Sequence, residues 1–344
     1  MPSVLLFGAT GLIGGMFTEH EHTTGANLRL KARLAPALKK AHPNWPLTVF
    51  YRNKSVDEYF TQTVRADRIV HGDFSQKDLV SSLSKDHDIV INAASSFDGD
   101  FIDTIISGME KRPESSQGTL VHLSGTGNFI DLGTTGNFNP KSKVWNDNNE
   151  EDIRAINRSM FNGPTDTPIL EAGQRGKIIT YIVCLAVTYG QNVLGSSANL
   201  GVAYTILTGL AKGLGFVPYI GEGTAVVSTV HVEDAIPFIQ KIVGVAGTEQ
   251  PMGDAYSRYY ILHGERLNWR DLGNALAPIL YAKGLVSSPE PRAVSIGEAG
   301  EGEAKHLIAG NMLVQGDRAV QLGFKPKQPS MIVSMKKDLG SHDF

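Results

Sequence analysis

The sequence predicts an α/β fold, a doubly wound parallel sheet followed by a smaller C-terminal substrate lobe, on three observations. Pro2-Ser3-Val4-Leu5-Leu6-Phe7 is a short apolar run without helical period, and it passes directly into Gly8-Ala9-Thr10-Gly11-Leu12-Ile13-Gly14-Gly15, as a buried strand opening into a helix would. Four further short runs follow at Leu47–Tyr51, Arg68–His71, Asp88–Asn92 and Thr119–Leu123, spaced to leave helical segments between them. After Gly190-Gln191-Asn192 the composition shifts. The expected division is therefore residues 1–190 for the sheet domain, with elements of 225–245 returning to it, and 191–344 for the lobe.

The opening turn carries the first chemistry. A chain that passes from strand to helix in so few residues turns sharply, and glycine permits the dihedrals. It also lets main-chain N–H groups approach a diphosphate, with the positive helix end behind them. Gly8, Thr10, Gly11, Leu12, Ile13 and Gly14 are the expected contacts of a Rossmann-type dinucleotide site; the alternative is a merely tight strand–helix turn.

Composition sets bounds. At 344 residues and 37.1 kDa, with 41% hydrophobic residues, the chain can bury a large core. A net charge of −3, from 32 basic and 35 acidic residues, points to no nucleic-acid or membrane-surface partner. The single cysteine, Cys184, excludes an intramolecular disulfide and a cysteine-rich metal site, and its apolar setting reads as a buried structural thiol. With a strand expected from Val4, no leader is expected. The longest apolar run, Ile178 to Val187, is too short to span a bilayer. A reducing, cytoplasmic setting is expected, as a monomer or homodimer acting on a small organic molecule.

Between His20 and Trp45, Thr23-Thr24-Gly25 and Pro36 predict a helix, an insertion and a second helix ending near His42-Pro43. After the second strand comes Tyr51-Arg52-Asn53-Lys54, where an NAD-binding site usually has an acidic residue for the ribose hydroxyl. A guanidinium at Arg52, with Lys54, suits a 2′-phosphate and so NADP(H); the alternative is a solvated basic turn. Asp73 and Phe74 follow the third strand, either to meet adenine or to start the helix Ser75–Leu83 as turn residues. The fourth strand ends in Asn92-Ala93-Ala94-Ser95, small enough for a cofactor to lie on the backbone. A helix over Phe101 to Lys111 leads to the fifth strand, which ends in Ser124-Gly125-Thr126-Gly127.

Later segments read less regularly. Ala198–Leu214 is a helix, Ala225–Val230 a strand and Asp234–Val243 a helix. Tyr256–Leu262 is an aromatic strand of the lobe, and a helix starts near Leu267. Glu290–Glu303 has no period and is the expected flap, and Asp317–Gly323 a short helix ending at glycine. His231 reads as a satisfied structural histidine.

With these motifs the chain resembles the extended and atypical short-chain dehydrogenase/reductases, including the NmrA-like and isoflavone-reductase-like branches. The resemblance rests on Gly8 to Gly14, the basic turn, Gly72-Asp73, Asn92-Ala93-Ala94 and Ser124, then on Ile178 to Tyr189 with Gly190 as a sixth strand, Ser228 to Ala235, and Leu322-Gly323-Phe324-Lys325-Pro326. It implies the doubly wound sheet and the C-terminal substrate lobe.

It also exposes a departure. Members of the family place a serine near a tyrosine and lysine four apart on one helix, the tyrosine exchanging a proton with the substrate oxygen. Ser124 matches the serine. No tyrosine here has a lysine four residues on. The helix expected to carry the pair, Glu150–Phe161, has neither residue, and neither does Thr167–Gln174. Asn162-Gly163-Pro164 is read as a break. Remaining candidate proton donors are Lys143, in the loop Asn137–Asn149, and Tyr189, at a strand end; the acidic run Asp147, Glu150, Glu151, Asp152 reads as a helix start.

The expected function is NADPH-dependent reduction of a C=C, C=N or C=O bond in a hydrophobic small molecule. The alternatives are a catalytically silent NADPH-binding sensor and a non-redox cyclase or isomerase. Phe97, Phe129, Phe138 and Trp145 are either an apolar lining for that substrate or loop anchors.

Overall fold

The computed structural model describes residues 1–9, 26–132, 135–194, 197–299 and 304–340. Seven strands form the main sheet: β1 Val4–Phe7, β2 Leu47–Tyr51, β3 Arg68–His71, β4 Ile89–Asn92, β5 Thr119–Gly125, β6 Ile179–Leu185 and β7 Tyr259–Leu262. They lie in the order β7-β6-β5-β4-β1-β2-β3 and every pairing is parallel. β1, β2 and β4 are buried at every residue, which is why they read as unbroken apolar runs.

The strand order reverses between β1 and β4. Right-handed crossovers running outward from that point put their helices on opposite faces. Lys77–Asp86, Gly99–Met109 and Gly163–Arg175 pack side by side, and Ala26–Ala41 packs against Val232–Thr248, where Arg33 and Glu233 form an ion pair.

Two proline readings are corrected. Pro36 lies inside the continuous helix Ala26–Ala41; burial of Leu34, Ala35 and Leu38 offsets the lost hydrogen bond. Gly163-Pro164 does not break a helix but begins one, Gly163–Arg175, because a first-turn proline gives up only an N–H that has no intrahelical partner. The helix expected at Glu150–Phe161 is confined to Glu150–Arg154.

The expected sixth strand, Ile178 to Tyr189, divides at Ala186. β6 stays in the main sheet, while Val187–Tyr189 pairs with Val226–His231 in a second sheet. That sheet also takes Glu265–Asn268, Asn311–Met312 and Ile130–Asp131. A second cluster of buried side chains, including Tyr204, Leu207, Trp269, Leu276 and Met335, fills the space beneath it.

Several C-terminal expectations change. The aromatic strand assigned to the lobe is β7, the edge of the main sheet. The helix expected from Ala198 starts at Val202, and Ser197–Leu200 instead pairs antiparallel with Gln191–Leu194. Within the expected flap, Arg292–Val294 is a strand parallel to Pro218–Ile220, and residues 300–303 lie outside the described residues. A helix over Met331–Gly340 was not expected.

The outer side of β7 is closed by side chains. Asp147 accepts from Ile261 N–H at 2.8 Å, and the Arg318 guanidinium donates to Tyr259 O at 3.0 Å, so the edge offers no open row of donors and acceptors. No helix among the described residues is long and apolar enough to cross a membrane.

Candidate functional site

In a doubly wound sheet, ligands bind outside the carboxyl ends of the strands where the order reverses. Here that places the crevice between the ends of β1 and β4. The Phe7 ring fixes the end of β1 by edge contacts with Phe50, 5.3 Å away, and Phe101, 5.2 Å away. Gly8 then turns with φ +77°, and a Cβ there would come 2.6 Å from Ala94 Cα and 2.8 Å from Ala94 N. Backbone meets backbone at this point, and only glycine fits. Ala93 and Ala94 are buried, and Asn92 Oδ1 accepts from Ala94 N–H at 2.9 Å, which fixes the end of β4. Thr10, Gly11, Leu12, Ile13 and Gly14 lie outside the described residues.

At the ends of β2 and β3, the structure brings Arg52 and Asp73 together in an exposed ion pair of 3.0 Å. Asp73 is also the turn residue, accepting from Ser75 N–H at 3.0 Å. That bond, and then Arg52, hold its carboxyl below the usual range. The Phe74 ring lies tilted against Phe101 at 4.2 Å, partly buried against the core. Lys54 begins a short 3-10 helix capped by Asn53. Asp57 nearby accepts from the Tyr51 hydroxyl and pairs with His71, both at 2.9 Å.

The β4–β5–β6 side holds polar groups buried beneath the edge. Ser124 is buried at the end of β5 and its Oγ has no hydrogen-bond partner among the described residues. On the same face, two residues earlier, His122 Nδ1 faces Asn92 Nδ2 at 3.0 Å. Its Nε2 stands 3.4 Å from Asp166 Oδ1, an electrostatic approach rather than an aligned hydrogen bond. Asp166 Oδ2 accepts from Asn128 Nδ2 at 2.9 Å and from the Tyr259 hydroxyl at 3.0 Å. Asn128 Oδ1 accepts from Asn162 N–H, and Asn162 Nδ2 and Thr165 Oγ1 both donate to Ser96 O. Burial above all, and then the charge of Asp166, push the Cys184 thiol well up.

These contacts show which helix borders the end of β5: the one starting at Gly163. A Cβ on Gly127 would lie 3.0 Å from Phe161 Cβ and 2.5 Å from Asn162 Oδ1. From Phe161 to Gln174 the chain has neither tyrosine nor lysine.

The proposed donors are engaged elsewhere. The Lys143 ammonium pairs with buried Asp152 at 2.6 Å and lies 3.8 Å over the Trp145 ring. The Tyr189 hydroxyl donates to Pro329 O at 2.8 Å within the second core, and burial first raises its pKa. His231 Nδ1 accepts from Glu233 N–H and caps a helix. The four loop aromatics do not form one lining: Phe129 is buried against Trp145 and Tyr259, while Phe138 is 47% exposed.

Sequence reading did not find His122, Asn128, Asn162, Asp166 or Tyr259. The available signal was a histidine inside an otherwise apolar strand, Leu120 to Leu123.

No family model matches the chain. It is 22% identical over 336 residues to a protein named Oxidase ucsJ from an Acremonium species, covering 93% of this chain and 96% of that one. A dTDP-glucose 4,6-dehydratase from Bacillus anthracis, solved with NAD, is 14% identical with a TM-score of 0.59, over 98% of this chain and 97% of that one. DesIV, a dTDP-glucose 4,6-dehydratase from Streptomyces venezuelae solved with NAD and TYD, is 16% identical with a TM-score of 0.62, over 98% and 96%. A UDP-glucuronic acid 4-epimerase from Bacillus cereus, solved with UDP-glucuronic acid and NAD, is 12% identical with a TM-score of 0.59, over 98% of each chain. The chain has the Rossmann-type fold of these proteins.

Proposed function

We propose that the protein is a nicotinamide-dinucleotide-dependent oxidoreductase of the short-chain dehydrogenase/reductase type, acting on an uncharged, hydrophobic small molecule. The observation that carries this is the Gly8–Ala94 contact, which clears side chains from the crevice at the strand-order reversal. The residues present fit such a group: Gly8, Ala93 and Ala94 offer bare main chain, and Ser124 Oγ is a buried polar atom without a partner among the described residues. NAD in the solved dehydratases and epimerase supports the cofactor class. NADP(H) is the form we favour, because Arg52 stands exposed after β2 with a carboxylate, Asp73, that a 2′-phosphate can displace. The finer placement in the NmrA-like and isoflavone-reductase-like branches remains part of this proposal.

The nicotinamide, when bound, donates or accepts a hydride. Around it the chain offers the buried Ser124 as a hydroxyl donor, and no tyrosine of the sequence has a lysine four residues on to supply a proton. Reduction of C=C or C=N bonds, which needs less help at a developing oxyanion, therefore fits better than carbonyl reduction. A silent NADPH-binding sensor is the second reading, favoured by the engagement of Lys143 and Tyr189 in structural bonds. Titration with NADPH and NADH by calorimetry tests the cofactor. NADPH oxidation against enones, imines and ketones then separates the two readings: binding with turnover supports the reductase, and binding with none across the panel supports the sensor. Absence of binding to both nucleotides refutes each.

A further inference from the structure

The side chain of Asn92 lies where β1, β4 and β5 run side by side toward their carboxyl ends. The parallel registers set Phe7 beside Asn92 and Asn92 beside His122. Asn92 is fully buried, so the polar atoms of its amide need partners inside the protein. Oδ1 accepts the Ala94 N–H at 2.9 Å. Nδ2 donates to Ser95 O at 2.9 Å. Each of these partners is a main-chain group with a single possible role, so the amide has one orientation. The second hydrogen of Nδ2 then faces His122 Nδ1, 3.0 Å away. That ring nitrogen must accept, and it carries no proton. His122 is itself fully buried, and with its acceptance every polar atom of the Asn92 amide is used.

We infer that His122 is a positioning residue of the dinucleotide crevice, acting through Asn92 on the main chain of Ala94. This rests on the cofactor reading above. Ala94 forms one wall of the crevice: a Cβ on Gly8 would stand 2.6 Å from its Cα and 2.8 Å from its N. Next to it, Phe7 O accepts from Ala93 N–H at 3.2 Å. At such close approach a small displacement of Ala94 changes the width of the crevice, so its place must be held. Without the acceptor on His122, one Asn92 hydrogen is buried and unpaired. The amide relieves that only by turning, and turning releases the Ala94 N–H or Ser95 O. The cradle is then for part of the time in a form that does not bind. Apparent affinity falls in proportion to the fraction that stays competent.

His122→Asn and His122→Leu separate this role from packing. Both substitutions branch at the same carbon, and both remove the imidazole with its approach to Asp166. Only His122→Asn puts an acceptor, its side-chain oxygen, where Nδ1 stands. Calorimetric Kd values for NADPH and NADH are measured in the unmodified protein and in both variants, with urea denaturation alongside. In His122→Leu both nucleotides should weaken roughly tenfold, the effect of one lost buried hydrogen bond, and by the same factor, because the cradle serves the part they share. His122→Asn should bind both within about threefold of the unmodified protein, even where its stability falls as far as that of His122→Leu. Equal affinities in the two variants, whether both kept or both lost, overturn the inference while the cofactor reading stands. If His122→Leu does not fold, nitrogen NMR shifts of the His122 ring in the unmodified protein decide: a bare Nδ1 with the proton on Nε2 is expected, and a proton on Nδ1 overturns the inference. Failure of the unmodified protein to bind either nucleotide overturns the cofactor reading itself, and this inference with it.

Discussion

Replacing Asp147 with asparagine should flatten the pH dependence of stability in the weakly acidic range. Asp147 is buried and accepts from Ile261 N–H and Arg318 N–H, each at 2.8 Å. Burial nonetheless dominates and raises its pKa from 3.8 to about 6. The folded protein then holds this proton more tightly than the unfolded chain, so the contribution to stability is complete below pH 3.8 and is lost as pH climbs through about 6. At 1.36 kcal/mol per pKa unit the loss is about 3 kcal/mol. Carboxylates held below their ordinary range, such as Asp73, Asp88 and Asp317, act in the opposite sense, but they are common to both proteins. Urea denaturation of the cofactor-free parent and Asp147→Asn, from about pH 4 to pH 7, isolates the Asp147 contribution as the difference between the curves. A constant offset of about 1–3 kcal/mol is also expected, because one amide oxygen cannot serve both N–H groups. Two curves that run parallel over this range would refute the reasoning.

Three further outcomes are expected. Gly8→Ala adds a Cβ 2.6 Å from Ala94 Cα at φ +77°; it should cost about 2–5 kcal/mol in denaturation and abolish calorimetric dinucleotide binding, and full binding would remove Gly8 from the cradle. Arg52→Ala should weaken NADPH roughly ten- to hundredfold through loss of a charge-assisted contact while leaving NADH nearly unchanged, and equal losses would take Arg52 out of the site. Lys143→Ala leaves Asp152 its bonds from Asn146 N–H and the Asn149 amide, so it should cost about 1 kcal/mol in urea with dinucleotide affinity intact; a fall in turnover at unchanged stability would restore Lys143 as a catalytic candidate.

Four of the first five strands were legible because each is short, apolar and bounded by turns, and a parallel strand covered on both faces cannot hide its composition; β3, the half-exposed edge strand Arg68–His71, was legible from its Ile69-Val70 centre and its spacing. β7 was recognised as a strand but not as a member of that sheet, since its partner β6 lies far away in sequence and no local pattern states the pairing. Pro36 and Pro164 were misread for opposite reasons: tertiary packing overrode the first, and position within the helix made the second harmless. The groups around Asp166 were invisible as a set. Asn92, His122, Asp166 and Tyr259 come from four elements, and it takes the β4–β5, β5–β6 and β6–β7 registers together with the packing of the helix Gly163–Arg175 to bring them together. The pairing of Arg52 with Asp73 was not foreseen either, although each was singled out for the same pocket.

The path of the chain through β6 and β7 has a consequence for assembly. The main sheet is left at Leu185 and regained at Tyr259, after most of the second sheet has been laid down. A fragment ending near Gly190 would contain every crevice residue named here from β1 to β5, yet its outermost strand would be bare, without β7 and without the Asp147 and Arg318 bonds that shield that side. Such a piece should self-associate through the exposed strand. During synthesis, the main sheet cannot be completed until Tyr259–Leu262 and then Arg318 have emerged, so its closure waits on most of the second sheet.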